Sequence, residues 1–384
     1  MKHFWILALS LVFARGAAAQ GYDVIDLGPL IPVGINVDGE VAGNVNGAAA
    51  LWTAAGGIRL LGVPPSATFA NAVAINDLGV VAGTADSPGV MNFAEFGFQD
   101  CSDLTQPFAW SAASGFHTAS AIPSAWPPLA FDYPCYQQDY ATGINLRSQI
   151  VGSNRDIATY KYGYVWTGSD GVSLLTGEYQ SSANAINDFG LVAGQIGNNT
   201  LDVASHAAIW NKGVQLDLGT LAGDDPMWMA CSGAADVNDM EQVVGWSGTT
   251  ESSDSACSDI LDSQAPVRAF LWTRHAGMRD LGTLPGDQES VALKVNIFGT
   301  AIGMSGKSVI ENPQEEYALT VAGHPFVWSA ETGMRDLNHL LRPGSDWVLN
   351  SAADINAWGQ IVGTGTFRGE THGFLMTPKV LFWR

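Results

Sequence analysis

An all-β chain built from seven repeated units is predicted by three observations. An Asn preceded by Ile or Val is followed seven residues later by Gly, at Asn36 and Gly43, Asn76 and Gly83, Asn145 and Gly152, Asn187 and Gly194, Asn238 and Gly245, Asn296 and Gly303, and Asn356 and Gly363. Each copy continues into a short apolar run. Six of these runs end in Trp, at Trp52, Trp110, Trp166, Trp210, Trp272 and Trp328, and the seventh ends in Met376. The third observation is the spacing between copies, about 53 residues on average, close to the 40–50 of a propeller blade and too long for a β-solenoid coil.

Within one copy, 72–83 reads as two β-prone runs flanking Asn76-Asp77-Leu78-Gly79. Asn tolerates left-handed backbone and Gly has no Cβ to clash, so this cluster makes a tight hairpin turn. The turn Gly recurs at Gly39, Gly79, Gly190, Gly299 and Gly359, while Ser148 and Glu241 replace it, which predicts a different turn in those two copies. Small residues before the second Gly, such as Ala42, Ala82 and Ala193, predict close strand packing near an axis. A second hairpin follows in each copy, as where 269–272 turns through Ala276-Gly277 into 278–282. Two hairpins make four strands, so the predicted fold is a seven-bladed β-propeller of four-stranded blades. Its units fall near 31–62, 70–121, 139–177, 181–219, 232–282, 290–338 and 350–378.

The last copy lacks a fourth strand after Met376, whereas 22–28 matches the strand ending Asp280-Leu281-Gly282. The N-terminal strand is therefore expected to complete the last blade and leave no open edge. Residues 1–19 read as a secretory signal, with Lys2 and His3, an apolar stretch from Phe4 to Phe13 and the small Ala17-Ala18-Ala19. The remaining chain, 20–384, is expected to be one domain, exported to the periplasm or beyond.

With 17 Lys and Arg against 37 Asp and Glu, the formal charge is −20, which disfavours nucleic acid and anionic lipid as partners. No later segment has 18 consecutive apolar residues, so no membrane insertion is expected. Four cysteines in an exported chain allow three pairings. The meander topology places Cys101 with Cys135 and Cys231 with Cys257 in loops on one face, which also carries the long insertions 84–106, 121–139, 220–230, 246–267, 304–323 and 340–350.

That face holds the candidate binding residues, because rigid scaffolds carry function on their loops. The aromatic residues Trp126, Tyr133, Tyr136, Trp228 and Trp347 lie in insertions, where they suit stacking on sugar rings or protein partners. Asp224, Asp225 and Asp287 are candidate calcium ligands, though no cofactor is required. His206, His324 and His372 share one repeat position and are expected to hydrogen-bond a strand neighbour rather than gather at a metal. The repeating Asn is read as a turn former and the repeating Trp as core. No catalytic motif is present and no catalytic residue is assigned.

The segments 268–272, 277–284 and the Val-Asn unit around Asn296 resemble the HAF-repeat family, probable extracellular repeat proteins of bacteria. The resemblance covers essentially the whole mature chain. Arg268 and Gln106 depart from the His that heads the family motif, and Leu284-Pro285-Gly286 replaces its usual Gly-Gly. It implies export and a repeat architecture and transfers no catalytic residue. The expected function is a secreted, monomeric binding module for an extracellular glycan or protein. The alternative is an extracellular glycan-active hydrolase or lyase with its site on the same face.

Overall fold

The structure, a computed structural model, describes residues 21–87, 89–93, 97–101, 104–119, 138–155, 161–168, 171–175, 180–197, 205–223, 231–249, 266–310 and 319–379. These are all β apart from turns and one short 3-10 helix, Leu337–Leu340. Each repeat is an antiparallel meander. The fourth copy, for example, runs Gln180–Ile186, Val192–Gly197, Ser205–Asn211 and Val214–Asp217 in spatial order. The fifth and sixth copies form similar four-stranded sheets. The first three are joined into one twelve-stranded sheet by single parallel pairs, Ala48 with Ala70 and Thr105 with Gln138.

The first strands of the seven copies touch one another in sequence and the last touches the first, so they form the innermost ring. Apolar cores lie between successive copies rather than within them. Ala193, Ile209 and Leu218 of the fourth copy, for instance, pack against Val237, Phe270 and Trp272 of the fifth. The repeating Trp side chains are at most 9% exposed. Arg59 and Arg279, on fourth strands, cover Trp110 and Trp328 of the following copies at 5.3 and 5.2 Å. These contacts make each unit dependent on its neighbours, so stability belongs to the closed ring.

The expected chain closure is present. Tyr22–Asp26 pairs antiparallel with Glu370–Pro378, Tyr22 opposite Pro378 and Asp26 opposite Phe374. Leu27 and Leu30 follow into the core, 2% and 0% exposed.

The repeating Gly has a cause that the sequence alone conceals. Six first strands carry a β-bulge, as between Ala183 and Ala185, which pushes a carbonyl across the sheet toward the second strand. A Cβ on Gly194 would lie 1.8 Å from the Ser182 oxygen, and one on Gly152 would lie 1.8 Å from that of Tyr140. Only Gly fits there, and the vacated space takes the fully buried rings of Phe108, Tyr164, Phe326 and Phe374.

Three expectations need correction. Ser148 and Glu241 adopt the same turn as the glycines, with φ of 57° and 58°, and donate the same bond to the Asn carbonyl. The asparagine's own hydrogen bonds impose the left-handed residue, so a non-Gly side chain is held there against its preference. Trp347 is not a loop residue. It opens strand Trp347–Leu349, the first of the last sheet, and is 9% exposed. Finally, much of the insertion 304–323 is a lengthened hairpin, Ala301–Ile310 with Leu319–Ser329.

Candidate functional site at the ring axis and its two faces

The seven asparagines build a closed hydrogen-bonded circuit. Each Oδ1 accepts the N–H groups two and four residues ahead, as in Leu191 to Asn187 at 2.8 Å, which locks the turn. Each Nδ2 then donates to the backbone carbonyl of the next copy's Asn, over 2.8–3.5 Å, from Asn36 round to Asn356 and back to Asn36. All seven are 1–6% exposed. The remaining Nδ2 hydrogen meets a side chain four residues on in several copies, Glu40, Gln149, Gln242 and Gln360. The turn-forming expectation therefore holds, and the same side chain also staples neighbouring copies. This circuit closes the axis at the face of tight turns.

Two residues before each ring Asn stand Gly34, Ala74, Gly143, Ala185, Asp236, Lys294 and Asp354. Where the residue is small the innermost strands nearly touch, since a Cβ on Gly34 would meet Ile75 at 3.2 Å. In the last three copies charge fills the gap. Lys294 Nζ lies 3.8 Å from Asp236. Asp236 also accepts the Val295 N–H at 2.9 Å, and Asp354 accepts those of Ile35 and Ile355, both at 2.8 Å. Asp236 thus ties the fifth copy to the sixth, and Asp354 ties the seventh to the first. Burial raises the Asp354 pKa above the usual carboxylate value despite Lys294 and these hydrogen bonds. The Asp236 charge, helped by Asp354 and opposed by burial, raises that of Lys294.

Lys294 is therefore the counter-ion of Asp236, and its charge also favours the ionised form of Asp354 against burial. Its contribution is complete below the ordinary lysine pKa and is lost only above its raised value, in strong alkali. Lys294→Met is expected to cost about 3 kcal/mol at neutral pH, the range for breaking a buried pair. Without the cation the Asp354 carboxylate is held still further above its usual range, so the variant should regain melting temperature between about pH 7 and about pH 5. Thermal melts across that range check this, and a variant that loses stability on acidification would refute the counter-ion role.

The histidines pair with carboxylates at the outer strands. His206 Nδ1 sits 2.9 Å from Asp217, His372 Nδ1 2.8 Å from Asp26, and His324 3.6 Å from Asp287. Burial disfavours ionised Asp217, but the His206 hydrogen bond, the Gly219 N–H and the His206 charge outweigh it and lower its pKa. Asp26, Asp217 and Asp280 each also accept the N–H two residues on, at Gly28, Gly219 and Gly282. That explains the repeated Asp-Leu-Gly: the Asp caps the turn, the Leu is buried, and the Gly takes positive φ.

Trp126, Tyr133, Tyr136, Trp228, Asp224 and Asp225 lie outside the described residues, as do Cys135, Cys257 and the side chain of Cys101. Cys231 is buried at the start of the fifth copy. Trp347 stacks on Phe367 with centroids 4.8 Å apart and meets Phe374 edge-on, which fixes it as core of the last sheet. Its rim borders a hollow of about 290 Å³ lined by Tyr22, Asp23, Arg342 and Ser345. Asp287 lies 3.6 Å from His324, and no group of three metal-ligating side chains occurs among the described residues. The axial charges were missed in the sequence, although aligning the copies on their Asn exposes them as the only charged residues in an otherwise small column.

No family model matches this chain, and no curated protein sequence matches it. Its architecture is similar to that of virginiamycin B lyase from Staphylococcus aureus, at 8% identity over 92% of this chain and 99% of that one, with a TM-score of 0.51. A streptogramin B lyase structure is similar at 9% identity, covering 94% and 100% of the two chains, with a TM-score of 0.49. At such identities the likeness defines the fold alone, an all-β, propeller-like architecture. No described helix is long and apolar enough to cross a membrane.

Proposed function

We propose that the chain is a seven-bladed β-propeller of four-stranded blades, an exported HAF-repeat protein that binds an extracellular glycan or protein through its loop-rich face. The observation that carries this reading is the contrast between the two faces. One is built from short, uniform turns tied into the asparagine circuit. By the order of the strands the other would receive nearly every long connection, among them those that contain the hairpin Gly89–Phe93 with Gly97–Cys101 and the overhang of Ala301–Ile310 with Leu319–Ser329. A scaffold whose rigid ring holds varied loops on one side suits recognition. Two disulfides, Cys101 with Cys135 and Cys231 with Cys257, would tie those loops together; Cys231 is not a free thiol, which supports the second. Calcium would be an accessory ligand at Asp224, Asp225 and Asp287, and export would follow from residues 1–19.

Retention of the disulfide-intact protein on a polysaccharide panel tests the reading, with product analysis of any ligand retained. Loss of retention in Trp126→Ala and Trp228→Ala is the expected result. Retention that survives both changes would move the binding surface elsewhere. New reducing ends or unsaturated products would convert the module into a glycan-active enzyme.

A further inference from the structure

The residue two places after each ring Asn stands at the tip of its turn, on the face opposite the long loops. In ring order the tips are Asp38, Leu78, Arg147, Phe189, Met240, Phe298 and Trp358. The five apolar tips are 46–68% exposed. The turn requires Asn at its start and a left-handed residue three places later, and it makes no demand on the tip. Trp358 also donates its indole N–H to the Val37 carbonyl at 2.9 Å, but the other four large apolar tips around the axis are unexplained by folding, and clustered exposed apolar groups mark an interaction surface.

Asp38 and Arg147, both exposed, flank Leu78 on either side. Two such rings facing one another run in opposite senses. A two-fold axis through Leu78 therefore places Asp38 opposite Arg147 of the second copy, and Arg147 opposite its Asp38. The same operation sets Leu78 on Leu78, Phe189 on Trp358, and Met240 on Phe298. Every charge meets its opposite and every apolar tip meets an apolar tip, the self-complementarity that an isologous contact requires. Ten apolar tips of roughly 100 Å² each bring together about 1,000 Å², the lower end of a specific interface. Anionic lipid fits poorly, because Asp77, Asp188 and Asp239 stand beside the tips, where they accept the N–H groups of Val37, Leu146 and Asp188. Net repulsion between two acidic chains is screened beyond about 8 Å at physiological salt.

We propose that the protein forms a face-to-face dimer through these turn tips, with a two-fold axis at Leu78, in place of the monomer expected from sequence. Sedimentation equilibrium tests it. The unaltered protein should sediment as a dimer at about 100 μM, where even a micromolar interface is saturated. Phe189→Ser with Phe298→Ser should give a monomer that melts as the unaltered protein does at concentrations low enough for both to be monomeric. Asp38→Arg and Arg147→Asp should each loosen the dimer about tenfold, and the two together should restore it. Leu78→Cys should yield an oxidised, cross-linked dimer. A monomer for the unaltered protein overturns the proposal, as does a dimer that the Ser pair leaves intact or a charge swap that fails to restore. Flotation of monomeric protein with phosphatidylcholine vesicles, abolished by the Ser pair, would assign the tips to a bilayer and overturn it as well.

Discussion

Gly194→Ala is expected to abolish accumulation of folded protein. The added Cβ would sit 1.8 Å from the Ser182 carbonyl oxygen and 2.9 Å from its carbon, both backbone atoms held by the bulge. No rotamer change relieves that contact, so either the bulge or the pairing with the second strand must break. Either route unpairs buried backbone groups and separates Ala183 from Ile196 and Trp210 in the same core. A cost above about 4 kcal/mol places the change among the most damaging a single methyl can cause. Gly213→Ala is the control: Gly213 also has positive φ, at 81°, but open space around it, and should cost only about 1 kcal/mol. Soluble yield and thermal melts of the two variants measure the contrast. Comparable losses for both would mean that backbone preference, not the bulge, dictates the Gly.

Removing residues 21–28 is expected to be equally severe. The deletion exposes the ladder edge of Glu370–Pro378 and uncovers Phe374, Leu375 and Met376, at most 3% exposed in the intact ring. It also removes Tyr22 and Leu27 from two core clusters and the Asp26 partner of His372. The unpaired strand would recruit other chains, so aggregation rather than a soluble truncated form is expected. Adding a synthetic peptide of residues 21–28 during refolding should recover soluble protein in proportion to its concentration. A truncated chain that is monomeric and melts normally would show that closure contributes little.

Much of this architecture was legible because its determinants are local. Asn187, with its hairpin and Trp210, declares a turn and a core strand within a few residues, and repetition converts such weak signals into a strong one. The match of 22–28 to later Asp-Leu-Gly strands was legible for the same reason. What escaped depends on neighbours far away in sequence. The link from Asn356 to Asn36 spans 320 positions, and nothing near either residue announces it. Ala193 was read as a mark of close packing, but the stricter demand falls on Gly194 beside it, and the carbonyl that imposes it belongs to an irregular strand. Ser148 and Glu241 misled because propensity favours Gly, whereas the asparagine bonds decide the backbone. Trp347 misled because Gly344, Ser345 and Asp346 beside it resemble loop composition, while pairing with Phe367 makes it a strand. At the axis, Asp236, Lys294 and Asp354 come from three separate copies and are meaningful only together.

The order in which the chain is made adds a constraint of its own. Tyr22–Asp26 is made before every other strand of the ring, yet its partner Glu370–Pro378 is made after all of them. At about 5–20 residues per second, roughly 20 to 70 s of synthesis separate the two. Throughout that interval the growing ring is an open arc with adhesive ends, and two nascent arcs lying close together can each close with the other's terminal strand. Fidelity of assembly therefore depends on keeping nascent chains apart, and crowding of partly made chains lowers the yield of correctly closed molecules.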